Sequence, residues 1–161
     1  MTDSAALDTS AAPDLAASTV DDRGLRLDEQ LCFPLYAASN LIVKAYGPLL
    51  KPLGLTYPQY LVMLLLWEQA EWTVGALGKR LHLDSGTLTP MLKRMEQTGL
   101  VCRRRCLEDE RRVLVSVTSG GAALKASAAG IPAAMACRLA ADNEWLARLR
   151  ADLNSLIELM D

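Results

Sequence analysis

Residues 83–118 read LDSGTLTPMLKRMEQTGLVCRRRCLEDERRVLVSVT, and the hydrophobic period changes inside this stretch. Leu88, Met91, Leu92 and Met95 recur at three- and four-residue steps, which predicts a helix capped by Asp84 or Ser85 and closed by Gly99 at the C′ position. From Leu100 the period is two. Val113, Val115 and Val117 alternate with Arg112, Leu114 and Ser116, and Leu107–Glu110 separates this run from Leu100–Cys106. The second half is therefore expected to be a two-stranded hairpin with an arginine-lined arm.

Upstream, Thr73 opens a short helix through Leu81, so two helices meet at a tight turn, a helix-turn-helix pattern. Thr56 with Gln59 is a capping-box signature, and Tyr60–Trp67 is hydrophobic on nearly all sides, as a buried helix requires. After Asp28, the residues Leu31, Leu35, Ala38, Leu41, Ile42 and Ala45 predict a first helix ending at Gly47-Pro48, with Pro34 in or near its first turn. Residues 1 to about 26 are rich in Ala, Ser, Thr and Asp without period and are expected to be a disordered tail. Downstream, Ser119 precedes an alanine-rich helical stretch interrupted at Gly130-Ile131-Pro132. Asp142 caps a last helix carrying Trp145, Leu146, Leu149, Leu153, Leu156, Ile157 and Met160. The expected order is three helices, a recognition-type helix, a β-hairpin and two helices, an α+β and mainly α fold. Residues 27–161 form one domain, with flanking helices at about 28–51 and 119–161 around a winged helix at about 56–118.

A chain of 161 residues, 51% hydrophobic and 22% charged, has the composition of one soluble domain with a sizeable core. The longest apolar run, Leu61–Trp67, is far short of the roughly 18 residues that suggest a membrane span. The start, Met1-Thr2-Asp3-Ser4, lacks a secretory signal, so the expected compartment is the reducing cytoplasm, with the four cysteines as free thiols. A net charge of −2 argues at first against a nucleic-acid binder. It conceals an asymmetry. Between Lys79 and Arg112 stand nine basic residues against five acidic, a local +4, while the rest of the chain carries −6.

With about 100° per residue, the helix after Asp84 sets Gly86, Pro90, Lys93 and Gln97 opposite its apolar face, with Thr89 and Arg94 on the flanks. An outer face that is small at its N-terminal end and cationic beyond suits insertion into a major groove, and it equally fits a solvated amphipathic helix. The neighbouring hairpin decides for DNA, because Arg103, Arg104, Arg105, Arg111 and Arg112 are more guanidinium groups than a solvated edge carries. The candidate DNA-binding residues are Ser85, Gly86, Thr87, Thr89, Pro90, Lys93, Arg94, Arg104, Asp109, Arg111 and Arg112. Arg111 is expected to enter a minor groove or to pair with Asp109 and stiffen the turn.

Cys32 falls in the first turns of the first helix, where open backbone N–H groups and the helix dipole favour a thiolate. All four tyrosines, Tyr36, Tyr46, Tyr57 and Tyr60, lie in the two segments that follow, and phenols donate to sulfur. A sensing thiol and a small core residue beside ordinary aromatics both fit this pattern. Cys102 and Cys106 form a C-x3-C pair, but with His82 the single histidine no zinc site is expected.

Asp109-Glu110-Arg111-Arg112 followed by Val113-Leu114-Val115-Ser116-Val117-Thr118 resembles the wing signature of MarR-type regulators. Leu31-Cys32-Phe33-Pro34-Leu35-Tyr36, Thr56-Tyr57-Pro58-Gln59-Tyr60-Leu61 and the run Leu83–Glu96 resemble the organic hydroperoxide resistance repressors, over about residues 28–160. That resemblance implies a homodimer with interlocked first and last helices, bound to pseudo-palindromic operator DNA. It implies that Cys32 is oxidised by an organic hydroperoxide, that Tyr46 and Tyr57 of the partner subunit donate to it with Tyr36 as a weaker third, and that Cys137 is the resolving thiol of a two-cysteine type. Cys137 read as a packed residue in an Ala/Met helix is the alternative. The expected activity is stoichiometric repression and release, with no metal, no cofactor and no catalysis. A MarR-type receptor for a small phenolic ligand and, further off, a thiol peroxidase are the competing functions.

Overall fold

The computed structural model describes residues 22–140 and 142–160. By their contacts the described residues fall into two units that divide between Ala38 and Ser39, inside the first helix. The disordered tail expected over residues 1–26 lies mostly outside the described residues. Its described end, Asp22–Leu25, is a short 3-10 turn, followed by a second at Leu27–Glu29.

Helix α1 spans Cys32–Leu50. It continues through Gly47-Pro48, where the sequence predicts a stop, and Pro48 falls in its last turn. A 3-10 turn at Lys51–Leu53 leads to α2, Tyr57–Glu68, which opens with the expected capping box: the Thr56 N–H donates to Gln59 Oε1 at 2.9 Å. Tyr60, Val62, Met63, Leu65 and Leu66 of α2 are buried, as an all-apolar helix must be. Helix α3, Val74–Leu81, is capped by Thr73, whose Oγ1 accepts from the Ala76 N–H at 3.1 Å. Helix α4, Ser85–Gln97, is capped by Asp84 and buries Leu88, Met91, Leu92 and Met95, the four residues its period selects. It ends in a Schellman turn. Gly99, at φ +74, donates to Glu96 O at 2.9 Å and Leu100 to Met95 O at 3.0 Å.

The sheet has three strands where the sequence indicates two. Glu71–Thr73 forms β1, Val101–Arg105 forms β2 and Val113–Val117 forms β3, in the antiparallel order β1-β3-β2. Arg103 and Trp72 both stand opposite Val115, which with Val101 faces the core. After β3 the structure has three helices where two were expected, because Gly130 and Pro132 divide the alanine-rich stretch into α5, Ser119–Ala128, and α6, Ile131–Leu139. Thr118 caps α5, its Oγ1 accepting from Gly121 N–H at 3.0 Å and donating to Gly99 O at 2.6 Å. At Gly121 a Cβ would run into the Leu100 carbonyl oxygen, so only glycine lets α5 come this close to the end of α4. The indole N–H of Trp67 donates to Gly121 O at 3.0 Å and ties α2 to the same point.

Helix α7, Asn143–Met160, starts on Asp142, whose Oδ1 accepts from the Trp145 N–H at 2.6 Å. No described α7 residue is buried, and Trp145, Leu149, Leu153 and Ile157 form a stripe 36 to 45% exposed. No single helix among the described residues is long and apolar enough to cross a membrane.

Candidate nucleic-acid interface and sensing thiols

Helix α4 presents Ser85, Gly86, Thr87, Thr89, Pro90, Lys93 and Arg94 to solvent, as its period predicts. The N-cap organises one of them closely: Thr87 donates its N–H to Asp84 Oδ1 at 2.9 Å and its hydroxyl to Oδ2 at 2.7 Å. These hydrogen bonds hold the Asp84 carboxyl below its usual 3.8. The Thr87 hydroxyl, with its proton committed, has only lone pairs left to offer a further partner.

The hairpin arginines look alike in sequence and separate in space, because alternate β2 residues face opposite ways. Arg103 shares a face with Val101 and reaches α4, where its N–H donates to Glu96 Oε1 and its Nε to Glu96 Oε2, both at 3.0 Å, and its Nη2 forms an ion pair with Oε2 at 3.0 Å. These bonds lower the Glu96 carboxyl from its usual 4.5. Arg104 points away from the core and pairs with Glu71 of β1 at 2.8 Å. At the tip, Arg111 Nε stands 3.4 Å from Asp109 Oδ1, which also accepts the Arg111 N–H at 3.1 Å, and the Arg112 N–H donates to Asp109 O at 2.9 Å. Asp109 therefore shapes the turn while the Arg111 side chain stays 95% exposed. The pairing and the outward reach expected of Arg111 are compatible. Among the described residues Lys93, Arg94, Arg105 and Arg112 have no carboxylate partner.

Between wing and helices lies a cleft of about 460 Å³, lined by Thr73, Val74, Gly75, Ala76, Thr89, Arg103, Arg111, Arg112 and Val113. It joins the start of α3, the middle of α4 and the wing in one cationic concavity. The α3 residues, Glu71 and Glu96 were not among the sequence candidates. The parity of β2 was the available signal, since it places Arg103 on the helix side.

Cys32 is the first residue of α1 and its thiol is exposed. The open amides expected beside it are mostly absent: the Phe33 N–H donates to Gln30 O at 3.2 Å, and Pro34 has none. In the second unit the rings of Tyr46 and Tyr57 lie 4.7 Å apart and those of Tyr46 and Tyr60 5.9 Å apart. Burial raises all three phenols above 10.0, so they remain protonated donors at neutral pH. Tyr60 packs with Tyr46 in this cluster, as its place in the sequence suggests, although the family resemblance gave it no donor role, while Tyr36, in the other unit, is 68% exposed. Cys137, in α6, is a free thiol, exposed in the single chain. Cys102 is exposed on β2. Cys106 lies one residue beyond that strand, its N–H donating to Arg112 O at 2.9 Å. Among the described residues no three His, Cys, Asp or Glu side chains stand together as a metal site would require.

Residues 44–127 match the family described as transcriptional regulator SarA/Rot. An organic hydroperoxide resistance transcriptional regulator from Bacillus subtilis (strain 168) is 52% identical over 136 residues, covering 84% of this chain and 92% of the relative. Reduced AbfR bound to DNA, an AbfR of Staphylococcus epidermidis also having been solved, superposes with a TM-score of 0.72 and 33% identity over 88% of this chain and 98% of that one. Disulfide-formed AbfR superposes with a TM-score of 0.59 and 38% identity over 85% and 96%.

Proposed function

Because the chain belongs to the MarR-type transcriptional regulators of the organic hydroperoxide resistance group, we propose that it is a dimeric cytoplasmic repressor whose Cys32 senses organic hydroperoxides. The exposed face of α4 enters a major groove, Arg111 and Arg112 on the wing approach the flanking minor groove, and Lys93, Arg94 and Arg104 contact phosphates or bases. In the reduced state two copies hold a pseudo-palindromic operator.

The Cys32 thiolate attacks the terminal oxygen of the hydroperoxide, so that an S–O bond forms, the O–O bond breaks and the departing alkoxide takes up a proton as an alcohol. Tyr46 and Tyr57 of the partner subunit donate to the thiolate beforehand. The Cys137 thiol of the partner subunit then displaces water from the sulfenic acid and leaves a disulfide between the subunits. Joining α1 of one subunit to α6 of the other reorients the two α4 helices, so their spacing no longer matches successive grooves.

The observation that carries this reading is that Cys32 and Cys137 are both free and exposed in a single chain, as an oxidisable thiol and its resolving partner must be. The existence of a disulfide-formed relative supports it. The decisive assay is operator release by an alkyl or lipid hydroperoxide. Wild type should release DNA and rebind after a dithiol is added, and Cys32→Ser should stay bound. After peroxide, non-reducing electrophoresis should show wild type as a covalent dimer and Cys137→Ser as a monomer. A covalent dimer retained in Cys137→Ser and lost in Cys102→Ser or Cys106→Ser refutes the assignment of Cys137.

A second reading has one feature in its favour, an apolar cleft of about 230 Å³ lined by Tyr60, Leu64, Trp67, Ala128, Ala129 and Pro132 with Glu68 and Lys125 at its edge. It would suit a small phenolic ligand. Release of DNA from Cys32→Ser by such a ligand favours that reading.

A further inference from the structure

The wing and the recognition helix are joined by a clasp that DNA contact alone does not explain. Glu96 stands near the end of α4, and Arg103 lies seven residues further along the chain on the first strand of the wing. The carboxylate holds this one residue at three nitrogens: the backbone N–H donates to Oε1 and Nε to Oε2, both at 3.0 Å, and Nη2 forms an ion pair with Oε2 at 3.0 Å. Each end is partly withdrawn from water, the side chains being 36% and 23% exposed. Because β2 is an edge strand, it has no neighbour on its outer side to hold it. The clasped Arg103 also walls the cationic cleft, facing Thr89 of α4 and Arg111 and Arg112 of the wing.

We propose that Glu96 is a positioning residue for operator recognition: by gripping Arg103 it fixes the offset between α4 and the wing, so that both elements meet DNA as one body. The inference rests on the DNA-binding reading and adds to it a residue that itself touches no DNA. A carboxylate that holds the strand backbone with one oxygen and the guanidinium with the other sets orientation as well as distance, whereas a single point contact leaves the wing free to swing.

The sign of one substitution tests this directly. Glu96→Gln removes a negative charge beside polyanionic DNA, so charge alone predicts tighter binding. Loss of the clasp predicts weaker operator binding. The probes are a duplex selected by the wild-type chain from a random-sequence pool and a scrambled duplex of equal length. Glu96→Gln should bind the selected duplex about five- to tenfold more weakly while binding the scrambled one as well as or better than wild type. Arg103→Lys keeps the charge and the backbone donor but loses the planar fork, and it should show the same selective loss. A double-mutant cycle reads the rigidity itself. Lys93→Ala on α4 and Arg111→Ala on the wing should be non-additive by about threefold or more in wild type and additive in the Glu96→Gln background. Equal or tighter binding of the selected duplex by Glu96→Gln, or an unchanged cycle, overturns the proposal. If wild type enriches no sequence at all, the DNA-binding reading falls first and this inference with it.

Discussion

The winged helix and the flanking helices of this chain are finished to different degrees. From α2 to β3 the apolar residues of the helices and strands pack inward, with Leu107 at the wing tip the exception, the helix starts are capped, and the carboxylates of Glu71, Glu96 and Asp109 are each committed to an arginine. Helix α7 buries no described residue, and its apolar stripe faces outward. One half is complete as a single chain, and the other has the surface of a half-built core. An exposed stripe of this kind is the surface that the second copy of the proposed dimer would cover.

That contrast is broken most severely on α7. Leu153→Asp should weaken the dimer at least about 100-fold in sedimentation equilibrium, since it buries an unpaired charge in the interface, while the far-ultraviolet spectrum of the winged helix is preserved. Full-site DNA affinity should fall with the dimer. A variant that stays dimeric removes α7 from the interface. Next in size, Arg111→Ala should cost about 1–3 kcal/mol in operator binding, read by fluorescence anisotropy, and should reduce the dependence on salt while leaving the dimer intact.

A smaller effect belongs to Tyr57→Phe, which deletes one phenolic donor and keeps the ring packed on Tyr46. Its reaction with hydroperoxide should slow by about two- to tenfold at neutral pH, measured by stopped flow, with operator affinity near wild type. An unchanged rate would reduce Tyr57 to a packing residue. The smallest effect is on acid stability. The Asp84 and Glu96 carboxyls lie below their ordinary 3.8 and 4.5 in the folded chain, so their contribution is complete above those values and fades as pH falls through and below them. The thermal midpoint should therefore decline from about pH 5 downward, and the decline should be shallower in Asp84→Asn, which still caps α4 but does not titrate.

Period and capping made α2, α3, α4 and the hairpin legible, because each of those signals is local. Strand β1 was not, since three residues, Glu71–Thr73, are too few to show alternation and pair only with a strand 40 residues away. Pro48 signalled a stop that did not occur, and α1 runs on through it to a buried Leu50. Cys32 was legible as a residue at a helix start, but the amide supply around it depended on Gln30, whose carbonyl bends back to Phe33. The ion pairs to Glu71 and Glu96 arise from sheet register, which composition does not report.

The contact at Gly121 has a mechanical meaning. Side chains between packed helices take up small movements by changing rotamer, in the manner of a cushion. Here there is no cushion: the α5 backbone lies directly on the Leu100 carbonyl, and the Thr118 hydroxyl bolts both Gly99 and Leu100 to the first turn of α5. Any tilt of α5 is passed directly to the tail end of α4, the helix proposed to read DNA.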